Sequence, residues 1–196
     1  MDMTEPQQRR LRNFFKLLNQ YMVLLWRLGL GSIGNGNRWF GAYMVLVHRG
    51  RRSGRIYRTP VNFAMFSGDI YCTAGFGRSA DWYQNIMAEP ELEVWLPAER
   101  WWVRATDVTD NPNRREILKR VLIGSGLAGP VFGADPRKMG PADYDRLLAT
   151  YRLVRLQRLE TVSGQPGPGD LAWLWPLTGL LLLSILIGRM LNCRKV

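Results

Sequence analysis

The sequence predicts an α+β protein: a small barrel of about six mostly antiparallel strands with flanking helices, followed by one apolar helix at the C-terminus. Three observations predict it. Short runs of strand length and composition follow one another across turns: Tyr43–His48, Thr59–Phe66, Ile70–Ala74, Glu91–Leu96, Arg100–Thr109 and Tyr151–Glu160. The strand–helix–strand rhythm of a doubly wound sheet is missing. Finally, Leu171–Gly188 carries no charge, and an uncharged run of that length makes about 27 Å of helix, close to the ~30 Å of a bilayer's hydrocarbon.

In chain order, the N-terminal part, residues 1–36, holds an amphipathic helix over Gln7–Leu30. Leu11, Phe14, Phe15, Leu18, Tyr21, Met22, Leu25 and Trp26 recur at helical spacing, with Arg9, Arg10, Arg12, Lys16 and Arg27 among them. Two readings stand: an interfacial helix on anionic lipid, or a cover for one side of the barrel. After the glycine-rich turn Gly29–Asn37, the barrel domain occupies residues 37–160. Asp81 caps a helix to Ala88, and Pro97-Ala98-Glu99 turns a hairpin. Asp110 or Asn111 starts a helix to about Ile123, and a short helix runs from Ala142 to about Ala149. Thr161–Asp170 reads as a Gly/Pro linker. Residues 171–191 read as a single-pass membrane anchor, with Trp173 and Trp175 at one interface and Arg189, Arg194 and Lys195 at the other. The expected location is the membrane, with the domain facing the cytoplasm because no signal peptide precedes it.

The chain has 196 residues and a net charge of +11, from 27 Lys and Arg against 16 Asp and Glu. Such a field attracts anions of any kind, whether lipid head groups, nucleic acid or a phosphorylated cofactor. Two cysteines, Cys72 and Cys193, and one histidine offer no metal-ligand spacing, so no metal is expected.

No nucleophile has a base beside it in sequence. His48 ends a strand with no acid near it and reads as a half-buried polar terminus. Two elements carry more. Arg51, Arg52, Arg55 and Arg58 crowd a turn with Gly50, Ser53 and Gly54, where main-chain N–H groups and guanidinium forks can hold phosphate. Ala74-Gly75-Phe76-Gly77-Arg78-Ser79 then leads from a strand into a helix bearing Trp82, Tyr83 and Asn85. Such a loop can set main-chain donors beside a planar ligand.

Together these elements resemble the deazaflavin-dependent nitroreductase family, whose fold is a flavin-reductase-like split β-barrel. The family's turn, Gly-Arg-x-Ser/Thr-Gly-x-x-Arg followed by proline, is similar to Gly50–Arg58 with Pro60. Its later loop and Trp-Tyr-x-Asn helix look like Ala74–Gly77 and Trp82–Asn85, and Glu89–Leu92 approximates its Asn-Pro pair. The resemblance covers roughly residues 40–160. It implies a reductase that binds the deazaflavin coenzyme F-420, with flavin mononucleotide (FMN) as a relative's choice, while the cofactor supplies the hydride chemistry. It also implies roles. Arg52, Ser53 and Gly54 would hold the phosphate and linker, Arg51 would also bind the coenzyme, and Arg58, Thr59 and Pro60 would line the mouth of the ring site. Ala74, Gly75 and Phe76 would lie along the ring, Trp82 and Asn85 would close the site, and Arg49, Arg55 and Arg78 would meet the acidic tail. Tyr144, with Tyr151, is a candidate substrate-facing residue from its place after the barrel. The family's early loop lysine is absent, with Arg78 the nearest basic residue.

The expected activity is hydride transfer from the coenzyme to a quinone or nitro-type acceptor at a membrane surface. The alternative is a non-catalytic, membrane-tethered module that binds flavin or deazaflavin or acts through its basic surface. Nucleic acid is ranked last as a partner, since the clearest aromatic pair, Trp101-Trp102, alternates as a sheet element. Split barrels often pair, so a homodimer stays open.

Overall fold

Alternation of side chains along six strands lets the sheet close on itself. The computed structural model describes residues 5–33, 35–36, 41–126, 134–164 and 167–193. The strands are β1 (Tyr43–Arg49), β2 (Ile56–Phe66), β3 (Asp69–Ala74), β4 (Glu91–Trp95), β5 (Arg100–Asp107) and β6 (Arg152–Ser163). They form a closed barrel in the order β1-β2-β3-β6-β5-β4, and every neighbouring pair is antiparallel. Closure leaves no strand edge to be covered. The helices are α1 (Glu5–Arg27), α2 (Asp81–Ala88), α3 (Arg114–Gly124), α4 (Pro141–Thr150) and α5 (Leu174–Cys193).

The period of two sorts each strand into an inner and an outer face. Met44 and Leu46 of β1, Phe63 of β2, Ile70 and Cys72 of β3, Leu92 and Val94 of β4, Val103 of β5, and Val154 and Leu156 of β6 fill the interior. Ile86 and Tyr83 of α2 close one end of that core. The outer residues Tyr43 and Val45 meet Trp26, with Met22 and Val23 of α1 packed beside them. Tyr71 and Leu153 meet Ile117, Leu118 and Val121 of α3 and Leu148 of α4 on another side. The described part of α1 therefore covers the barrel, while Leu17 and Tyr21 on its other side stay exposed. Arg9, Arg10, Leu11, Arg12, Phe14 and Phe15 lie outside the residues whose side chains are described, as do Arg189, Arg194 and Lys195.

Several expected boundaries shift. β2 begins at Ile56, because Ile56 and Tyr57 pair with Arg49 and His48 and carry the ladder up to the arginine turn. β6 continues to Ser163, with Thr161 opposite Trp101, so the expected linker begins as strand. Asp81 is the first residue of α2 and not its cap, which is Ala80. The α3 helix starts at Arg114, after a turn in which the Asn113 N–H donates to Asn111 Oδ1.

The expectation of a membrane anchor is corrected. Among the described residues no helix is long and apolar enough to cross a membrane. The start of the uncharged run is not helical. Leu171–Trp173 form turns docked on the end of α1: the Leu171 N–H donates to the Arg27 carbonyl, and Trp175 Nε1 donates to the Leu28 carbonyl. Arg27 also grips Asp170 through Nε and a terminal nitrogen, at 3.0 and 2.7 Å. What remains uncharged within α5, from Leu174 to Gly188, spans about 22 Å, short of the ~30 Å hydrocarbon layer. The membrane location and the membrane partner inferred from that run are withdrawn with it.

Candidate functional site

Antiparallel order brings the two motif elements to one end of the barrel. β1 ends there, β2 begins there, β3 ends there in Ala74, and α2 lies across the opening. The β1–β2 turn is narrow. The Gly50 N–H donates to the Arg55 carbonyl and the Gly54 N–H to the Gly50 carbonyl, both at 2.8 Å. Gly54 takes φ +66°, a left-handed geometry that glycine adopts without strain, and the space where a Cβ would sit is open. Ser53 Oγ lies 3.2 Å from the Tyr57 hydroxyl, and both residues are exposed.

The turn is tied to α2 through Asn85, which is buried. Asn85 Oδ1 accepts the Arg51 backbone N–H at 3.1 Å and an Arg51 guanidinium N–H at 2.9 Å. The same guanidinium nitrogen donates to Asp81 Oδ1 at 3.1 Å. Arg51 is thereby committed to protein partners. Arg49 faces Glu89 at 3.5 Å in an exposed pair worth little. Among the described residues, Arg52, Arg55 and Arg78 have no carboxylate within ion-pair distance, and all three are exposed. The rim therefore carries three uncompensated guanidinium groups around a glycine-bearing turn, which suits an anionic ligand.

The strand register divides the expected mouth of the ring site. Thr59 pairs with Leu46 and faces inward, its Oγ1 lying 3.0 Å from His48 Nε2. Arg58 pairs with Val47 and faces outward, its guanidinium carbon 5.7 Å from the centre of the Trp95 ring. Pro60 pairs with Val45 on that outer face. Arg58 and Pro60 thus stand away from Thr59, against the expectation that the three line one mouth. A period of two forbids consecutive strand residues from sharing a face.

On the other side of the opening, Ala74 is buried, Gly75 is exposed, and Phe76 is 69 % exposed. Gln84 Nε2 donates to the Arg78 carbonyl at 2.6 Å, fixing the loop to α2. Trp82 is half-buried against the core, edge-on to Tyr83. Tyr144 does not reach this end. It is buried under α3, and its hydroxyl donates to the Pro136 carbonyl. Tyr151 does reach it: a Cβ placed on Gly75 would lie 3.5 Å from the Tyr151 ring and 3.7 Å from its hydroxyl. Burial pushes the Tyr151 phenol up, so it keeps its proton and can donate.

Two polar groups at this end gain partners that the sequence did not show. The Tyr83 hydroxyl donates a short bond to Asp107 Oδ2, and Asp107 Oδ1 accepts the Thr109 N–H and hydroxyl at 2.8 and 2.6 Å. Burial, with the Asp107 carboxylate, raises the Tyr83 phenol to about 12. Burial alone would raise Asp107, but the bonds from Thr109 and Tyr83 hold its carboxyl below the usual range. The second group is His48, buried at the rim between Thr59 and Asn85 and stacked on Tyr57. Only the pattern Met44, Leu46, His48 on the inner face could have flagged it.

Residues 28–123 match the family model described as F420H(2)-dependent quinone reductase. The match takes in β1 through most of α3, including the arginine turn, the ring-side loop and α2. It marks the chain as a deazaflavin-dependent oxidoreductase whose coenzyme is F-420. No curated protein matches the sequence. Among solved structures, HutZ, the heme storage protein from Vibrio cholerae, is 15% identical, with 65% of this chain and 89% of that one covered at a TM-score of 0.42. The conserved hypothetical protein Rv2991 from Mycobacterium tuberculosis is 18% identical, with 63% and 76% covered at a TM-score of 0.43. A FAD-binding protein from Mesorhizobium loti is 12% identical, with 61% and 81% covered at a TM-score of 0.38. At these scores the likenesses carry no argument about function.

Proposed function

We propose that this F-420-dependent oxidoreductase reduces a quinone-type acceptor at the barrel end formed by the arginine turn, the Gly75–Arg78 loop and α2. The observation that carries this reading is the division of labour among the arginines. Arg51 is spent on Asn85 and Asp81, while Arg52, Arg55 and Arg78 face solvent without carboxylates among the described residues. The residues present fit the coenzyme. Arg52, the Ser53 hydroxyl and the N–H groups around Gly54 would hold its phosphate and linker, with the open space at Gly54 admitting close approach. Ala74, Gly75 and Phe76 would lie along its ring, and Arg55 and Arg78 would meet its acidic tail. Thr59 and Trp82 would border the same site, with Asn85 acting behind them through Arg51.

When bound, the reduced deazaflavin supplies a hydride. The chain's own task is to orient coenzyme and acceptor and to keep water from the reacting face. A quinone that accepts a hydride also needs one proton to become a hydroquinone. The Tyr151 hydroxyl, protonated beside Gly75, would hold the acceptor's carbonyl oxygen by a hydrogen bond while solvent supplies that proton. A nitro-type acceptor would need a comparable donor, so the two acceptor classes are separated by assay. Incubating the purified chain with reduced F-420 and a water-soluble quinone analogue should oxidise one coenzyme per quinone, followed by the absorbance of the oxidised coenzyme. Turnover of nitro compounds with no turnover of quinones would overturn the acceptor assignment.

Arg52→Ala is expected to weaken F-420 binding by about 2 kcal/mol, roughly thirtyfold, the scale of a lost charge-assisted contact. Arg58→Ala, on the outer face, should leave affinity within about twofold. Fluorescence titration of both variants checks the pair, and equal losses would refute the assignment of the phosphate to the turn.

A further inference from the structure

We infer that His48 is a positioning residue: its neutral imidazole orients the Asn85 side-chain amide, and that amide holds the arginine turn in its ligand-binding shape. The inference rests on the coenzyme reading of the turn given above, but its geometry stands without any ligand.

Arg51 presents only donors to Asn85. Its backbone N–H and its guanidinium both point at one atom of Asn85, which must therefore be the oxygen. The amide nitrogen of Asn85 then faces His48, 3.4 Å from Nδ1. An NH2 group can only donate, so Nδ1 must carry a lone pair. The imidazole proton accordingly sits on Nε2 and is donated to Thr59 Oγ1, 3.0 Å away. One direction of donation runs through the whole chain, from Asn85 to His48 to Thr59, and it is set by the donors of Arg51. The contacts link three elements that sequence keeps apart: the end of β1, the start of β2 and the middle of α2.

Burial keeps the ring neutral, against a backbone hydrogen bond at Arg49 that favours the charged form. Asp81 and Glu89, the carboxylates at the two ends of α2, are taken by Arg51 and Arg49. From β2 the ring meets Tyr57, stacked at 6.0 Å between centroids, and Thr59. A second proton, on Nδ1, would set donor against donor at Asn85. Relief would require the amide to turn over, which would present its NH2 to the donors of Arg51. A protonated His48 and a held turn therefore exclude one another. Tyr57 strengthens the coupling, since its ring lies between His48 and the turn, and its hydroxyl meets Ser53.

The test uses the full chain with and without F-420. In the ligand-free protein, imidazole nitrogen shifts at neutral pH should show the Nε2–H tautomer, and the Nδ1–H tautomer would overturn the inference. His48→Leu should speed hydrogen exchange of the Arg51 amide about tenfold and weaken F-420 binding by a similar factor, the scale of one lost buried hydrogen bond. His48→Asn, whose side-chain oxygen can replace Nδ1 as the acceptor for Asn85, should recover most of both. Unchanged Arg51 exchange in a folded His48→Leu protein, or no recovery with His48→Asn, would overturn the positioning role. If the wild-type chain showed the expected tautomer and exchange but bound no F-420, the coenzyme reading of the turn would fall and the positioning of the turn by His48 would stand.

Discussion

Gly77→Ala is expected to cost about 4 kcal/mol of folding stability, the sum of left-handed strain and overpacking, and to lower Tm by roughly 10 °C for a chain of this size. Gly77 opens the short 3-10 turn Gly77–Ser79 that leads into α2, with φ +58°. In that region an L side chain costs about 1–2 kcal/mol. The added Cβ would also lie 2.2 Å from the Thr150 carbonyl oxygen, a backbone atom that cannot swing aside as a side chain would. Relief requires the loop and the end of α4 to part, at an overpacking cost of about 1–3 kcal/mol. Thr150 precedes Tyr151, so parting them would displace the phenol from Gly75 and weaken coenzyme and acceptor binding together. Gly54→Ala is the matched control. Its φ of +66° is similar, but nothing lies within 4 Å of the added atom, so only the strain of about 1–2 kcal/mol should appear. Denaturant unfolding of the two variants separates the terms. Equal losses would mean that Gly77 does not clamp the loop against α4.

The contrast between those two glycines shows what was legible in the sequence. Both sit in motifs that composition alone picks out, but only the fold reveals that one faces solvent and the other a carbonyl from a helix over seventy positions away. The strands that read most clearly, β1 and β3, are those with continuous apolar runs, and α2 follows its apolar spacing to the residue. Pairing across the barrel was not legible. Arg52 and Arg58 look alike in a cluster of four arginines, and the register places them in different surroundings. His48 had no acid near it in sequence and read as a strand terminus, because its partners Thr59 and Asn85 arrive only through closure and through α2. Tyr144 and Tyr151 were equally placed after the barrel. The α3–α4 packing buries the first, and the start of β6 carries the second to the ring-side loop. At the C-terminus hydropathy counted an uncharged run but could not register the docking of its first turns on α1.

The buried histidine also gives the protein a specific acid response. Burial lowers His48 to about 4 from 6.5, with a backbone hydrogen bond at Arg49 acting in the opposite sense. Between those values the unfolded chain binds a proton that the native state refuses, so stability rises with pH across the window. The contribution is complete above about pH 6.5 and is lost progressively as pH falls to about 4, a total of about 3 kcal/mol. Asp107, held below the usual carboxylate range, adds a loss of the same sign at still lower pH. A difference measurement isolates the histidine: unfolding free energies of wild type and His48→Asn, compared between about pH 7 and pH 4.5. Wild type should lose over 2 kcal/mol more than the variant across that interval, since most of the window lies within it. Coenzyme affinity should behave differently. The folded protein keeps the imidazole neutral well below pH 6.5, so the turn stays held and binding should show no inflection near that value. An inflection there, or equal acid losses in the two proteins, would mean that His48 titrates as though in water, and a ring in water could not be the fixed acceptor that orients Asn85.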